Sequence, residues 1–460
     1  MPAPFLGVAV LGDGGVTAAV DAYGNVVDLR PGPAGPALIE NPSGRQAAGT
    51  VATDTGIQPW VRVGDGWLPM WQADEVRQRY LPGTSVLRTV ARFGGVWVRL
   101  EQAAHGERLA IVATGRNAHR VRLRVNADGS ALTESPRVIA DAIASDRSWL
   151  TRARPLGGGA PQWARRMYLR SLLVLRALTD RRTGAVAAGA RDGWAYVWPR
   201  DASAVAIAFA EAGYRPEAER STQFLLGLGL EYAARFHGDG SPVPGRAAQG
   251  DAIGWVAAAS QAAGIIGSAR HAAHILAGGG PVPWRDRTDY WEGEPGDYLG
   301  NALAARTDVS EFSRHISGEN SDTPLPGLVR EAGDPDSGLD SAAAWGVRPF
   351  SRFELYSEIR RTLQDLVAQG TRFGITPGEG WAGGEDPWSA PTAWTAWSLA
   401  ALGERSEAMK LMGALRRSAT PAGDLPERVD TRTGIPRSTT PLAWSHAFAI
   451  LALRELWPNG

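Results

Sequence analysis

Near residue 150 the hydrophobic pattern of the chain changes period, and this change constrains the fold more than any bulk property. Before it, runs such as "GVTAAVDAYGNVVDL", "WVRVGDGWLPMW" and "VARFGGVWVRLEQ" alternate apolar and polar residues between Gly, Asp and Asn turns. That is the period of half-buried strands. In "HRVRLRV", Val121, Leu123 and Val125 fall on one face and arginines on the other. Many short strands with turn punctuation predict an antiparallel β-sandwich over residues 1–150. The stretch "TRARPLGGGAP", residues 151–161, reads as a linker. From 162 to 460 the pattern is helical, with helices predicted over 163–179, 201–213, 215–236, 251–278, 351–370, 390–403, 405–417 and 441–456. Several are apolar nearly all round, as helices lining the inside of a helical layer are. Residues 351–370 carry charge on one face and suit an outer layer. Alternating inner and outer helices fit a toroid of paired helices, and equally a solenoid, although no fixed repeat period is visible. Thr440 followed by Pro441 is predicted to open the last helix, and Gly213 and Gly403 to close theirs. The segment 318–340, rich in Gly, Pro and Asp, is predicted as a long loop.

A length of 460 residues fits two domains. The 48 basic and 48 acidic residues cancel, so no electrostatic footprint favours nucleic acid or anionic lipid as a partner. There is no cysteine, which removes disulfides, thiolate nucleophiles and Cys-based zinc sites together. The first residues, "MPAPFLGVAVLGDGG", show no basic region and no clear cleavage site, and no run is apolar for long enough to span a membrane. A soluble, cytoplasmic protein is expected; oligomeric state is not legible.

No GxSxG elbow and no GxxxxGK[ST] phosphate loop occurs. His271 and His274 stand three apart, but no third ligand is near, so neither a metal nor a cofactor is expected. What remains is carboxylates beside tryptophan. "TDYWEGEPGDY" offers Glu292 after Trp291, "GDLPERVDTRTG" offers Glu427, and "GITPGEGWAGGEDPW" offers Glu379, Glu385 and Trp381. Hydrolysis of a glycosidic bond needs one protonated carboxyl for the leaving oxygen and one ionised carboxyl to activate water or attack the sugar. A tryptophan face packs on the C–H surface of a pyranose, and its bulk raises the pKa of an adjacent acid. Trp198, Trp291 and Trp381 are the candidate sugar platforms. In "GWAYVWPRDAS", Arg200 and Asp201 form a donor–acceptor pair among aromatics. Simpler readings exist: Asp201 as N-cap of a helix from 202, Glu292 as an exposed loop acid, Glu427 as the ion-pair partner of Arg428 or Arg432.

Four blocks carry a resemblance. "YVWPRDAS", "DYWE", "GGEDPWSAPTAWTAWSLAALG" and "LPERVDTRTGIPRSTTPLAWSHAFAILAL" resemble, in order, blocks of the glucoamylase-type glycoside hydrolases of family 15. The resemblance implies an (α/α)6 barrel catalytic domain preceded by the β-sandwich. It also implies an inverting, exo-acting α-glucosidase that removes terminal α-linked glucose from a small oligosaccharide. Glu292 is then the general acid and Glu427 the general base, while Arg200 and Asp201 bind the terminal sugar's hydroxyls. Burial against Trp291 is expected to keep Glu292 protonated, and neighbours such as Arg428 to keep Glu427 ionised. Alternatives are an α,α-trehalase, an α-1,6-preferring isomaltosidase or glucodextranase, and a catalytically silent sugar-binding protein on the same scaffold. Two departures bear on substrate. Gly293 stands where many members carry a second carboxylate, with Glu294 one further on. Ile375 stands where many carry an arginine, with Arg372 and Arg348 as possible stand-ins.

Overall fold

The computed structural model describes residues 4–40, 56–126, 128–191, 193–265, 284–318 and 321–459. His271 and His274 lie outside the described residues. The first sheet holds β1 (Gly7–Leu11), β2 (Thr17–Asp21), β3 (Val26–Arg30), β4 (Ile39–Glu40), β5 (Gly56–Val63), β6 (Gly66–Pro69) and β11 (Val121–Asn126). The second holds β7 (Glu75–Tyr80), β8 (Leu87–Phe93), β9 (Val96–His105), β10 (Arg108–Thr114) and β12 (Leu132–Thr133). Neighbours are antiparallel except β10 and β12, a short parallel pair. Leu11, Leu29 and Ile57 of one sheet share a core with Tyr80, Leu87 and Leu109 of the other. On β11 the expected alternation weakens at its end. Val125 is 39% exposed, because this strand ends its sheet, and Arg122 and Arg124 lie over Trp67 and Trp60.

One helix falls inside the stretch read as sandwich. α1 (Pro136–Leu150) begins with Pro at its first turn and buries Ile139 and Ala142 against Val86, Ala103 and Ala110. Its 3–4 spacing of apolar residues is the signal that the strand reading passed over.

Next come α2 (Gln162–Leu178), α3 (Pro199–Ala212), α4 (Arg215–Leu226) and α5 (Ala252–Ala263). After them are α6 (Leu299–Ala305), a 3-10 helix (Ser341–Gly346), α7 (Tyr356–Gln369), α8 (Ser389–Ala401), α9 (Arg405–Ser418) and α10 (Ala443–Leu456). α3, α5, α6, the 3-10 helix, α8 and α10 pack in that order, and α10 closes back onto α3. The Ala-rich α3 and α8 are buried almost throughout, which lets neighbouring backbones approach on every side. α2, α4, α7 and α9 pack against this ring, and the last two bury only one stripe. Among the described residues no helix is long and apolar enough to cross a membrane.

Boundaries follow backbone chemistry. Gly213 (φ +92°) ends α3 and Gly403 (φ +86°) follows α8, as a left-handed terminus requires. The helix expected over 215–236 stops at Leu226, before Gly227 and Gly229. The last helix starts at Ala443 rather than Pro441, because Leu442 is still extended and bridges Gly189. The segment 318–340 is not a loop. β13 (Ser313–Gly318), β14 (Ser321–Glu331) and β15 (Asp334–Leu339) form a small antiparallel sheet. Its Gly, Pro and Asp content hides the strand pattern; packing supplies the order, with Leu328 N donating to Thr362 Oγ1 of α7 at 2.8 Å.

Candidate active site

The quoted aromatic stretch enters α3 through an extended residue. Trp198 precedes the helix, Pro199 takes its first position, and Arg200 and Asp201 sit in its buried first turn. Asp201 is therefore inside the helix and does not cap it, contrary to the simpler reading. Arg200 is 3% exposed; its Nη1 donates to Gln249 Oε1 at 2.9 Å and Asp251 Oδ2 at 2.8 Å. Its Nε lies 3.6 Å from Asp201 Oδ1, and the guanidinium stacks over Trp444 at 4.9 Å. Burial pushes Asp201 up to about 7; Arg200 opposes this, and Asp251 and Glu427 add to it. Asp201 Oδ1 has no hydrogen-bond partner among the described residues. This carboxyl is a buried group with unused bonding capacity.

Glu292 sits on a loop organised by Asp289. Asp289 Oδ1 accepts from Trp291 N at 3.0 Å, and its backbone oxygen accepts from Glu292 N at 3.0 Å. Arg330 of β14 grips the same carboxylate with two bonds, at 3.2 and 3.1 Å, and stacks on Trp291 at 4.2 Å. The stretch expected to be a loop thus supplies the clamp for this one. Glu292 has φ +57°, a left-handed conformation costly for a non-glycine residue and held here by its surroundings. Glu292 Oε1 accepts from Trp198 Nε1 at 2.8 Å and Gln249 Nε2 at 3.5 Å, while Oε2 forms an ion pair with Arg246. The ring at its carboxylate is therefore Trp198. Trp291 instead packs edge-on against Tyr290 and Trp381, and lies so close to Gly378 that an added Cβ there would come within 2.9 Å of it.

Glu427 enters from the loop before α10, pinned by its backbone. Its N donates to Thr439 O at 2.9 Å, and its oxygen accepts from Ser389 N of α8 at 2.9 Å. Oε1 accepts from Trp194 Nε1 at 3.1 Å and Oε2 from Ser438 Oγ. Burial raises its pKa; the Ser438 and Trp194 bonds, then Arg428 and Arg191, oppose that without reversing it. The expectation that Arg428 would keep this group low does not hold. Arg428 turns toward Asp386, at 3.8 Å, and the burial cost dominates.

The seven residues expected to act on or bind the sugar (Trp198, Arg200, Asp201, Trp291, Glu292, Trp381 and Glu427) line one cavity of about 310 Å³. Trp194, Arg235, Arg246, Trp388 and Trp444 line it too, and the sequence reading gave them no role. Trp194 lay within the quoted stretch; Arg246, in "PVPGRAAQGD", carries no local signal. The indole N–H groups of Trp291, Trp381, Trp388 and Trp444 are buried without acceptors among the described residues. Glu379 is occupied, accepting from Leu339 N at 3.0 Å and Gln369 Nε2 at 2.8 Å. Glu294 and Glu385 are exposed and not part of the cavity wall. Arg372 and Arg348 are absent from that wall as well. Arg348 lies in a separate cavity with Arg454 and Glu455, so neither stands in for the arginine missing at Ile375. Among the described residues no group of His, Asp or Glu is placed to hold a metal ion.

Comparisons with known proteins agree with this layout. Residues 162–228 match the sequence profile of the family described as Glycosyl hydrolases family 15. A crystal structure of bacterial glucoamylase complexed with acarbose superposes with a TM-score of 0.73 at 14% identity, covering 99% of this chain and 94% of that one. A structure described as a wild-type glycosidase superposes with a TM-score of 0.51 at 19% identity, over 65% of this chain and 99% of that one. No curated protein sequence matches. The superposition shows a glucoamylase-like fold, and the matched family segment lies within its helical part.

Proposed function

We propose that this glucoamylase-like chain is an inverting, exo-acting α-glucosidase working in the mouth of an (α/α)6 toroid that is preceded by a β-sandwich domain. It releases terminal α-linked glucose from small oligosaccharides. One observation carries the reading: two carboxyl groups on separate loops line the same cavity as the Arg200–Asp201 pair. Arg200 and Asp201 bind the hydroxyls of the terminal sugar as donor and acceptor. Trp198, Trp291 and Trp381 contact its apolar faces. Glu292 gives its proton to the leaving oxygen as the C–O bond breaks. Glu427 takes a proton from the water whose oxygen bonds to the anomeric carbon. Cytoplasmic location belongs to the same proposal and is checked by cell fractionation.

The test is incubation with maltose, isomaltose, trehalose and maltotriose, with and without phosphate, followed by proton NMR of the fresh product. The expected result is the cleaved terminal glucose appearing first as the β-anomer, accompanied from trehalose by an equal amount of α-glucose as the leaving sugar, independent of phosphate. Release of α-glucose first would point to a retaining enzyme, a phosphate requirement to phosphorolysis. No release from any of the four would remove the hydrolase reading for glucosides and favour a sugar-binding protein.

A further inference from the structure

Glu292 does not face an empty mouth. Arg246, whose side chain is 40% exposed, reaches in from the loop before α5 and pairs with Glu292 Oε2. Arg235 lines the same cavity, its guanidinium over Tyr196 at 4.9 Å and Trp198 at 5.6 Å. Arg246 lies over the same Trp198 ring at 6.0 Å. Two cations thus share one indole beside one carboxylate. Among the described residues Arg235 has no ion-pair partner, and its buried Nε has no hydrogen-bond acceptor. Burial first and the charge of Arg235 second hold the Arg246 guanidinium below its usual range, and the charge of Glu427 opposes them.

The arrangement conflicts with the role proposed for Glu292. A general acid must carry a proton, whereas a guanidinium in contact favours the ionised carboxylate. A neutral sugar offers nothing to draw Arg246 away. An anion does.

We propose that Arg235 and Arg246 form a subsite for a small anionic group on the leaving-group side of the bond. The preferred substrate is then an α-glucoside whose aglycone bears a carboxylate or a phosphate. The proposal rests on the hydrolase reading above. The terminal sugar occupies the buried Arg200–Asp201 end, so what meets the exposed Arg246 beside the general acid is the aglycone. Its anion takes the two guanidinium groups by charge-assisted hydrogen bonds. Glu292, released from Arg246, is free to hold the proton that it donates to the leaving oxygen.

Two matched pairs test this on the intact protein: maltobionate against maltitol, which differ only in a carboxylate for a CH2OH group, and trehalose 6-phosphate against trehalose. In at least one pair kcat/KM should favour the anionic member by about tenfold or more. Arg235→Gln should shrink that ratio toward one. Arg246→Gln should lower kcat/KM for the anionic substrate and raise it for the neutral one, because Glu292 loses its competitor. Equal or faster hydrolysis of both neutral members would overturn the anionic subsite and leave the hydrolase reading standing. So would an Arg246→Gln variant that lowers both alike. Hydrolysis of none of the four by a protein that releases glucose from maltose, isomaltose or maltotriose would overturn the anionic subsite alone. Where a variant is too unstable to assay, the wild-type protein still decides: gluconate should quench tryptophan fluorescence at concentrations where sorbitol does not, and equal response to both would overturn the proposal.

Discussion

At the scale of single residues, three carboxyl groups share one cavity and differ in environment. Glu427 is half-buried and desolvation raises its pKa, so the proposed base protonates above the usual glutamate range. The rate should therefore fall as pH drops through weakly acidic values, earlier than for an exposed glutamate. Glu427→Gln should remove that limb together with about 10²–10⁴-fold of kcat, since an amide cannot accept the proton. Glu292→Gln should hurt poor leaving groups most and spare α-glucosyl fluoride, measured as the ratio of the two rates. Equal losses on both would argue against Glu292 as the acid. Asp201 is pushed up to about 7, from an unfolded value near 3.8. Between these values the folded state holds a proton that the unfolded state has released, so stability falls with rising pH by at most about 1.4 kcal/mol per pH unit. Asp201→Asn should cancel that slope, so denaturant midpoints of variant and wild type should diverge in the variant's favour from pH 4 to 7, while terminal-sugar binding weakens. Unchanged pH dependence would mean that Asp201 is ionised in the fold.

At the scale of elements, the loop bearing Glu292 is held by β14 through Arg330 and Asp289. Arg330→Met keeps the stack on Trp291 but leaves the buried Asp289 carboxylate without its partner. We expect kcat on maltose to fall about tenfold or more and α-glucosyl fluoride to lose less, because a displaced Glu292 delivers its proton poorly. A loss confined to stability would sink this positioning role. The ends of α3 and α8 were legible because glycine at a left-handed position is a local requirement. β14 was not, because nothing in "SDTPLPGLVRE" favours a strand until α7 packs on it. α1 was legible in principle, by the spacing of Ile139, Ala142 and Trp149, yet it stood among strands and was read with them.

At the scale of the whole molecule, the sheets and the helical ring are joined by buried polar contacts as well as by apolar packing. Tyr80 of β7 donates to Asp424 Oδ2 at 2.8 Å, its hydroxyl lies 2.8 Å from Val10 O, and Arg170 of α2 stacks over its ring at 3.7 Å. Phe5, Val10 and Val27 enter the same core as α2. Tyr80→Phe strips a donor from a buried carboxylate and should cost about 1–3 kcal/mol. Calorimetry should show one lowered transition and no separate melting of the sheets. Two resolved transitions would mean that the two parts unfold independently.

The sequence by itself determined the period switch near residue 150, most helices beyond it, and the residue types of a glycosidase-like site. Those features are local: periodicity, turn chemistry, and short blocks such as "YVWPRDAS" and "DYWE". Tertiary structure alone decided which carboxylates meet. Glu292 and Glu427 are 135 residues apart (427 − 292) and share a cavity only because the inner helices close into a ring. It also decided protonation and charge, since burial lifts Glu427 despite a neighbouring arginine, and Arg246, far from any motif, arrives beside Glu292 through space. Desolvation and Coulomb interactions depend on distance and enclosure, and neither is written in the order of residues along the chain.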